Sequence, residues 1–288
     1  MNDRKIVLIT GATSGIGKAA AIAMAKSNYI VVIHGRNQEK TIQVCEEIRS
    51  ISANKDVNFV IGDLLLMNDV KKVAETFISR YGKLDVLINN AGGIMNKERE
   101  ITIEGFEKTL AINLLAPFLL TKLLLDPLKQ SEDGRIINVS SDAHKLAAKP
   151  DFDDLGMTKN YTPLTAYGNA KLFLIWITQH LSNELKQLDA HNLTVNTLHP
   201  GAVATSFGVK SNLGVFFNII AKLARPFLKT AEQGAETMLY LATSNEMKNI
   251  SGKYFVNKKQ AIVSNKYYSQ KHEELIWNYC VEKTKNWL

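Results

Sequence analysis

The sequence predicts an α/β fold in which a doubly wound parallel sheet carries helices on both faces. Short runs rich in β-branched residues alternate along the chain with longer amphipathic stretches. Several of the short runs are apolar throughout, as parallel strands are when both faces of the sheet are covered. Repeated strand–helix alternation implies right-handed crossovers. Since no linker, repeat or low-complexity tract interrupts the pattern, we expect a single domain over residues 1–288.

Each predicted strand is a short run of β-branched or other apolar residues. In chain order the strands are Ile6–Thr10, Ile30–His34, Val57–Gly62, Val86–Asn89, Arg135–Ser140, Thr194–Leu198 and Tyr254–Val256. Each predicted helix repeats apolar residues at helical spacing, which gives it one face for the core. The predicted helices include Lys18–Lys26, Glu39–Ile51, Val70–Tyr81, Phe106–Leu128 and Ala166–Leu188.

The composition is that of an ordinary globular protein, with 45% apolar and 22% charged residues. The net charge of +7 comes from basic residues that are scattered along the chain, so we expect a solvated face and no nucleic-acid partner. Cys45 and Cys280 lack metal-ligand spacing, and we expect no bound metal. The charged N-terminus does not resemble a signal peptide, and no apolar run reaches the ~18–20 residues of a membrane span. These features predict a cytoplasmic location.

A glycine-rich loop follows the first predicted strand and precedes a helix. It reads Gly11-Ala12-Thr13-Ser14-Gly15-Ile16-Gly17. Glycines let backbone N–H groups approach a pyrophosphate, which then lies at the N-terminus of the helix. The loop therefore predicts a Rossmann-type dinucleotide site. A glycine-rich turn without a ligand is the alternative.

The end of the second strand indicates which dinucleotide is bound. Enzymes that prefer NAD(H) often place an acidic residue here for the ribose 2′-hydroxyl, whereas an arginine accommodates the 2′-phosphate of NADP(H). Arg36 occupies this place, and Lys18 could add positive charge beside the loop. We expect NADP(H) to be preferred, with NAD(H) as the alternative, although Arg36 could also be an ordinary surface residue.

Tyr167 and Lys171 are four residues apart in a predicted helix, so their side chains lie on the same face. An ammonium group beside a phenol favours the phenolate, and we expect the pKa of Tyr167 to fall below about 10. Such a tyrosine could exchange a proton with an alcohol or carbonyl oxygen. By itself the pair could be an ordinary surface contact of a helix.

Taken together, the motifs resemble those of the short-chain dehydrogenase/reductase family, in its order and spacing, from about Arg4 to the C-terminus. They are the glycine-rich loop, Asn89-Asn90-Ala91-Gly92, Ser140-Ser141, Tyr167 with Lys171, and His199-Pro200-Gly201. The retinol dehydrogenase-like branch is indicated by three further segments. These are Asp153-Asp154-Leu155, Lys229-Thr230-Ala231-Glu232-Gln233-Gly234-Ala235 and Ser251-Gly252-Lys253-Tyr254-Phe255.

The resemblance implies catalytic roles for four residues. Tyr167 would donate or accept the proton, Ser141 would stabilise charge on the substrate oxygen, and Lys171 would bind the ribose and lower the pKa of Tyr167. Asn113 would position a water that links Lys171 to solvent. The family commonly has serine where this chain has Ala170, a difference that we expect to affect packing and not competence.

The resemblance also implies which residues bind the cofactor. Those at the pyrophosphate would be Gly11, Ser14, Gly15, Ile16 and Gly17. Those at the adenine, ribose and nicotinamide would be Asp63, Leu64, Asn90, Ala91, Gly92, Tyr167, Lys171, Pro200, Gly201, Val203 and Thr205.

The apolar stretch at 206–228 is predicted to be a lid over an apolar substrate. The alternatives are a peripheral membrane contact, which Lys222 and Arg225 would favour, and the contact of a homo-oligomer. His144 could orient a substrate carbonyl or be structural. The acidic residues Asp151, Asp153 and Asp154 lack the spacing of a calcium loop and favour a solvated capping loop.

We therefore expect an NADP(H)-dependent oxidoreductase that acts on a lipophilic aldehyde, ketone or alcohol, with a retinal-like compound as one candidate. The alternatives are a catalytically silent NADP(H)-binding sensor or scaffold, and an epimerase or dehydratase that uses the same tyrosine and lysine. The complete set of four catalytic residues argues against the silent protein. Epimerases and dehydratases generally have a larger C-terminal substrate domain than Gly208–Leu288 could form.

Overall fold

In the computed structural model, which describes residues 4–203 and 228–288, eight strands form one sheet with the order β3-β2-β1-β4-β5-β6-β7-β8. Strands β7 and β8 pair antiparallel, and the other described neighbours are parallel, which confirms the predicted fold class. The strands are β1 (Ile6–Ile9), β2 (Ile30–Gly35), β3 (Val57–Ile61), β4 (Val86–Asn89), β5 (Gly134–Val139), β6 (Leu193–His199), β7 (Tyr254–Val256) and β8 (Lys259–Gln260).

The helices cover both faces of this sheet. They are α1 (Gly15–Lys26), α2 (Gln38–Ser52), α3 (Met67–Tyr81), α4 (Lys108–Leu110), α5 (Ala116–Leu123), α6 (Leu125–Lys129), α7 (Ala143–Leu146), α8 (Pro163–Gln187), α9 (Ala231–Thr243) and α10 (Gln270–Thr284). A π-helical turn, Ala111–Leu115, joins α4 to α5.

Strand β1 shows why the parallel strands are rich in apolar residues. Leu8 packs in the core layer that includes α3, α5 and α8, whereas Val7 and Ile9 pack in the opposite layer with α1 and α2. Because both faces of the strand are buried, each of its side chains must be apolar. The predicted strands therefore match the observed ones to within one residue at each end.

The chain changes direction across the sheet at β1. Val7 is in register with Val31 of β2 on one side and with Val86 of β4 on the other. Successive strands thus extend outward from β1 in both directions, and the loops after β1 and β4 separate at the carboxyl edge of the sheet. Ligands of open parallel sheets bind in the crevice at such a switch point.

The predicted helix Phe106–Leu128 is wrong as a continuous element. It is divided into α4, the π-helical turn, α5 and α6. Pro117 has no N–H and cannot donate a hydrogen bond to the carbonyl of Asn113 four residues earlier. In the turn itself the N–H of Ala116 bonds to the carbonyl of Ala111, five residues back. Strand β8 and helices α7 and α10 were not predicted from the sequence.

His34, at the end of β2, holds the glycine-rich loop against β3. Its Nδ1 accepts a hydrogen bond from the N–H of Gly11 at 3.3 Å, and its Nε2 donates to the carbonyl of Gly62 at 3.0 Å. Both bonds require the neutral imidazole, since Nδ1 must keep its lone pair. Burial lowers the pKa of His34 from 6.5 to about 4.

We expect this histidine to make the protein less stable in acid. Because the folded-state pKa is below that of the unfolded chain, the stabilisation is complete above pH 6.5 and is lost as the pH falls toward about 4. Complete loss of this stabilisation would lower the free energy of unfolding by roughly 3 kcal/mol. Urea unfolding of the wild type and of His34→Gln between pH 7 and 4 measures it, with exposed His191→Gln as the control. If the free energy of unfolding fell with pH as steeply in His34→Gln as in the wild type, His34 would not be the cause of the acid sensitivity.

Candidate active site

Four residues of the predicted catalytic set come together at the carboxyl edge of the sheet. Ser141 follows β5, Tyr167 and Lys171 lie one turn apart near the start of α8, and Asn113 lies in the π-helical turn. Tyr167, Lys171 and Asn113 are 6%, 3% and 0% exposed, and Ser141 is partly buried. Polar groups so deeply buried need partners, and the structure supplies them.

Tyr167 and Ser141 are joined by a side-chain hydrogen bond. The Nζ of Lys171 lies 5.5 Å from the centre of the Tyr167 ring, and it donates a hydrogen bond to the carbonyl of Val139 at 2.8 Å. The hydroxyl of Tyr167 is therefore directed at Ser141, while Lys171 is anchored to the end of β5 beside it.

The expected fall in the pKa of Tyr167 is wrong for this structure. Burial raises the pKa of the phenol above its ordinary value, and the hydrogen bond with Ser141 only partly opposes this. Burial also lowers the pKa of Lys171 to about 7. Removal from water penalises both ions, so the lysine cannot act as a permanent full charge beside the tyrosine.

Asn113 fixes the loop that follows β4. Its Nδ2 donates to the carbonyls of Gly93 and Thr109, both at 2.8 Å, and its Oδ1 accepts from the N–H of Gly93 at 3.1 Å. A Cβ at Gly92 would lie 2.6 Å from this Oδ1 and 3.1 Å from the Nζ of Lys171. Only glycine lets the loop, the π-helical turn and α8 approach one another here.

A chain of buried polar side chains holds α8 on the sheet. Asn89 donates to Asn138 at 2.8 Å, and Asn138 donates to the hydroxyl of Thr178 at 2.8 Å. Ser140 donates to the main-chain carbonyl of Lys171 at 2.9 Å. Asn138 and Thr178 were not among the residues predicted from the sequence. The signal was polar residues inside otherwise apolar elements, whose burial requires hydrogen bonds.

The glycine-rich loop has the form of a cradle for phosphate. Ser14 is the N-cap of α1 but makes no side-chain capping bond, so the amides of the first turn are not occupied by the cap. Gly11 and Gly15 have φ of 63° and 57°, which favours glycine. A Cβ at Gly17 would lie 2.4 Å from the Nδ2 of Asn90, which itself donates to the carbonyl of Thr10 at 2.8 Å. This donor set fits the pyrophosphate of a dinucleotide.

The other predicted cofactor residues follow the carboxyl ends of the strands. They are Arg36 after β2, Asp63 and Leu64 after β3, Asn90, Ala91 and Gly92 after β4, and Pro200, Gly201 and Val203 after β6. Ile16 contacts α9 near Gly234. Thr205, and the predicted lid at 206–228 except Leu228, lie outside the described residues.

The two basic residues expected near a 2′-phosphate differ in their contacts. Arg36 is exposed and makes no hydrogen bond or ion pair with the rest of the described chain. Lys18 instead forms an ion pair with Glu47 of α2, with 2.6 Å between Nζ and Oε1. The positive charge of Lys18 is thus partly offset by Glu47, and its contribution at the loop stays a prediction.

The remaining polar candidates have structural partners. His144 is buried, and its Nδ1 lies 2.6 Å from the carbonyl of Ser141. Asp154 accepts bonds from Thr158 and Lys159 within its own loop, which lowers its pKa. Within 4–203 and 228–288 there is no cluster of three or more His, Cys, Asp or Glu suited to a metal ion. No helix in these ranges is long and apolar enough to cross a membrane.

Comparison with known proteins gives a consistent result. A family model described as "short chain dehydrogenase" matches residues 5–214. Retinol dehydrogenase 12 of Mus musculus is 37% identical, over 96% of this chain and 85% of its own length. Human polyprenol dehydrogenase is 34% identical, over 97% of this chain and 85% of its own length.

Solved structures have the same fold. An uncharacterised protein from Mycobacterium paratuberculosis has a TM-score of 0.76 and 25% identity, over 98% of this chain and 94% of its own. A short chain dehydrogenase from Shigella flexneri, solved with NADP, has a TM-score of 0.67 and 27% identity, over 88% of this chain and 97% of its own.

Substitution of Gly92 tests whether the loop after β4, Asn113 and Lys171 approach one another as described. Gly92→Ala should lower the free energy of unfolding by roughly 1–3 kcal/mol, since the new methyl collides with Asn113 and Lys171. Gly93→Ala is the matched control, because its Cβ meets only the Cε of Met95 at 3.5 Å. Urea unfolding of the two variants compares them. Equal stabilities would show that the three segments do not meet as described.

Proposed function

The chain belongs to the short-chain dehydrogenase family and is an oxidoreductase acting on CH–OH donors, and we propose that it uses NADP(H) to interconvert a lipophilic alcohol with its aldehyde or ketone. The observation that carries the proposal is the meeting of Ser141, Tyr167, Lys171 and Asn113 beside a glycine-rich cradle. A silent dinucleotide-binding protein would have no need for a buried tyrosine hydrogen-bonded to a serine.

The bound nicotinamide would supply hydride to the substrate, or accept it. In reduction, Tyr167 gives its hydroxyl proton to the carbonyl oxygen, and Ser141 donates a hydrogen bond to the same oxygen as it gains negative charge. In oxidation, Tyr167 takes the proton from the alcohol. The pKa of Tyr167 is raised by burial, which keeps the proton on its oxygen until a substrate needs it.

Lys171 is suited to return a proton to Tyr167. Its pKa of about 7 means that its protonated and neutral forms coexist at neutral pH, so it can pass a proton with little free-energy cost. Asn113 lies on the same side of Gly92 as the Lys171 ammonium. The carbonyl of Asn113 receives no hydrogen bond from residue 117, which is proline, and could bind the water that connects Lys171 to solvent.

The preference for NADP(H) rests on Arg36 at the end of β2. Its side chain is exposed and unpaired within the described residues, so a 2′-phosphate need not displace an existing ion pair. The similar Shigella flexneri protein was solved with NADP, and one from Escherichia coli with NADPH. The residues that would hold the rest of the cofactor are those of the glycine-rich cradle and the loops after β3, β4 and β6.

A lipophilic substrate is supported by exposed leucines on two helices that adjoin the site in the chain. Leu146 of α7 is 86% exposed and Leu164 of α8 is 46% exposed, and the two helices pack together at Gly168. Exposed leucines on the elements that carry Tyr167 and follow Ser141 favour an apolar ligand. The names of the relatives, retinol and polyprenol dehydrogenases, point to the same class of substrate.

Tyr167→Phe tests the reaction. The variant keeps the ring and loses the proton donor, so we expect carbonyl reduction to fall by about 10²–10⁴-fold while NADPH binding persists. The assay follows NADPH oxidation at 340 nm over a panel of aldehydes, ketones and quinones, and fluorescence titration measures NADPH binding. Turnover near that of the wild type would refute the role of Tyr167. Binding of NADPH without turnover in the wild type would favour the silent sensor.

Arg36→Ala tests the choice of cofactor. Loss of a charge-assisted hydrogen bond to the 2′-phosphate should lower kcat/KM for NADPH by about tenfold or more and leave kcat/KM for NADH unchanged. Lys55→Ala, which removes an exposed positive charge elsewhere, should change neither value. An equal loss of kcat/KM for NADPH and NADH in Arg36→Ala would contradict recognition of the 2′-phosphate. A wild type with a higher kcat/KM for NADH than for NADPH would contradict it as well.

A further inference from the structure

The carboxylate of Asp142 joins the ends of three neighbouring strands. Asp142 directly follows Ser141 at the end of β5. Its Oδ2 lies 3.2 Å from the Nε2 of His199, the last residue of β6, and its Oδ1 lies 3.5 Å from the hydroxyl of Tyr254, the first residue of β7. The distance to Tyr254 is at the limit of a hydrogen bond, so the contact with His199 is the stronger of the two.

The position of Asp142 bears directly on Ser141. The Ser141 hydroxyl accepts a hydrogen bond from the N–H of Ala143 at 3.2 Å, and the Ser141 carbonyl accepts one from the Nδ1 of His144 at 2.6 Å. Residues 141–144 thus form one hydrogen-bonded turn, and the carboxylate of Asp142 adds a side-chain contact with β6 to the main-chain bond from Ser140 to Leu198 at 2.7 Å. On the other side of the contact, His199 is followed at once by Pro200 and Gly201.

His199 is held in one tautomer. Its Nε2 carries the proton that is donated to Asp142, and its Nδ1 is buried with no hydrogen-bond partner among the described residues. Burial lowers the pKa of His199, and the negative charge of Asp142 acts in the opposite direction. The imidazole is therefore neutral near pH 7 and acts as a directed donor.

We propose that His199 is a positioning residue that acts through Asp142 to set Ser141 against the Pro200–Gly201 segment. The proposal rests on the proposed function, since Ser141 and this segment would lie on the substrate and nicotinamide sides of one reaction centre. A group held at both ends in this way is preorganised for the transition state, which a flexible serine would not be.

Other charged groups face the same contact. Lys145 lies 4.0 Å from Asp142 and 5.8 Å from the centre of the Tyr254 ring, and its positive charge lowers the pKa of His199. The positive charge of Lys229 also lowers the pKa of His199. The Nζ of Lys229 donates a hydrogen bond to the Oδ1 of Asn257 at 2.6 Å. His144 is close enough to be coupled to His199, and burial lowers its pKa too. Lys145 and Asp142 are both partly exposed, so solvent screens their attraction.

The first experiment requires no turnover. Imidazole ¹⁵N NMR of the full chain reports the tautomer and the pKa of His199. The wild type should show the Nε2–H tautomer, and Asp142→Asn should lower the pKa of His199 because the opposing negative charge is lost. Asp126→Asn, which neutralises an exposed carboxylate of α6, is the control. An unchanged His199 pKa in Asp142→Asn would overturn the proposal.

The second experiment separates positioning from folding. His199→Leu should lower kcat for carbonyl reduction by between about 10- and 100-fold, as small displacements of catalytic groups do. His199→Gln, whose amide can still donate to Asp142, should recover most of this loss. In the double variant Asp142→Ala/His199→Leu, kcat should be no lower than in the worse single variant, because the two residues act as one unit.

The outcomes distinguish this proposal from the proposed function. A wild type that turns over no substrate would refute the proposed function and the positioning role together. An active wild type with kcat unchanged in His199→Leu, or with additive losses in the double variant, would overturn the positioning role alone. Circular dichroism and urea unfolding confirm that each variant is folded before kcat is compared.

Discussion

Removal of Tyr167 and Lys171 from water is the constraint on which the site depends. Burial raises the pKa of the Tyr167 phenol and lowers the pKa of the Lys171 ammonium to about 7. Both shifts oppose the charged form, so the phenol keeps its proton. A phenol that keeps its proton can serve as the acid in carbonyl reduction.

The parallel sheet makes this burial possible. All strands from β3 to β7 end at one edge, so loops that are distant in sequence meet there without long insertions. Close approach then depends on small residues: Gly92 lets Asn113 and Lys171 share one side of the loop, and Gly17 lets α1 begin against Asn90. The π-helical turn at Ala111–Leu115 completes the arrangement, as such turns often do at functional sites.

The sequence determined the fold class and the strands almost completely, because burial on both faces leaves an apolar run that is easy to recognise. It did not reveal the interruption at Asn113, although Pro117 was the physical reason for it. It also gave the wrong sign for the pKa of Tyr167. Spacing along a helix predicts which charges are neighbours, but the dielectric surroundings of Tyr167 and Lys171 depend on the packing of α8, β5 and the π-helical turn. The contact between Asp142 and His199 was not predictable for a similar reason. The two residues are neighbours only because of the register in which β5 and β6 pair.

We infer that chemistry and substrate specificity are carried by different parts of this molecule. The buried groups that would move the proton are fixed to β5, α8 and the π-helical turn by hydrogen bonds, so substitutions there would alter the reaction itself. The exposed Leu146 and Leu164 have no comparable restraint. Relatives that share 34–37% identity can thus keep one reaction while differing in substrate. For this reason the family establishes an oxidoreductase, and the proposal of a lipophilic substrate depends instead on the exposed Leu146 and Leu164.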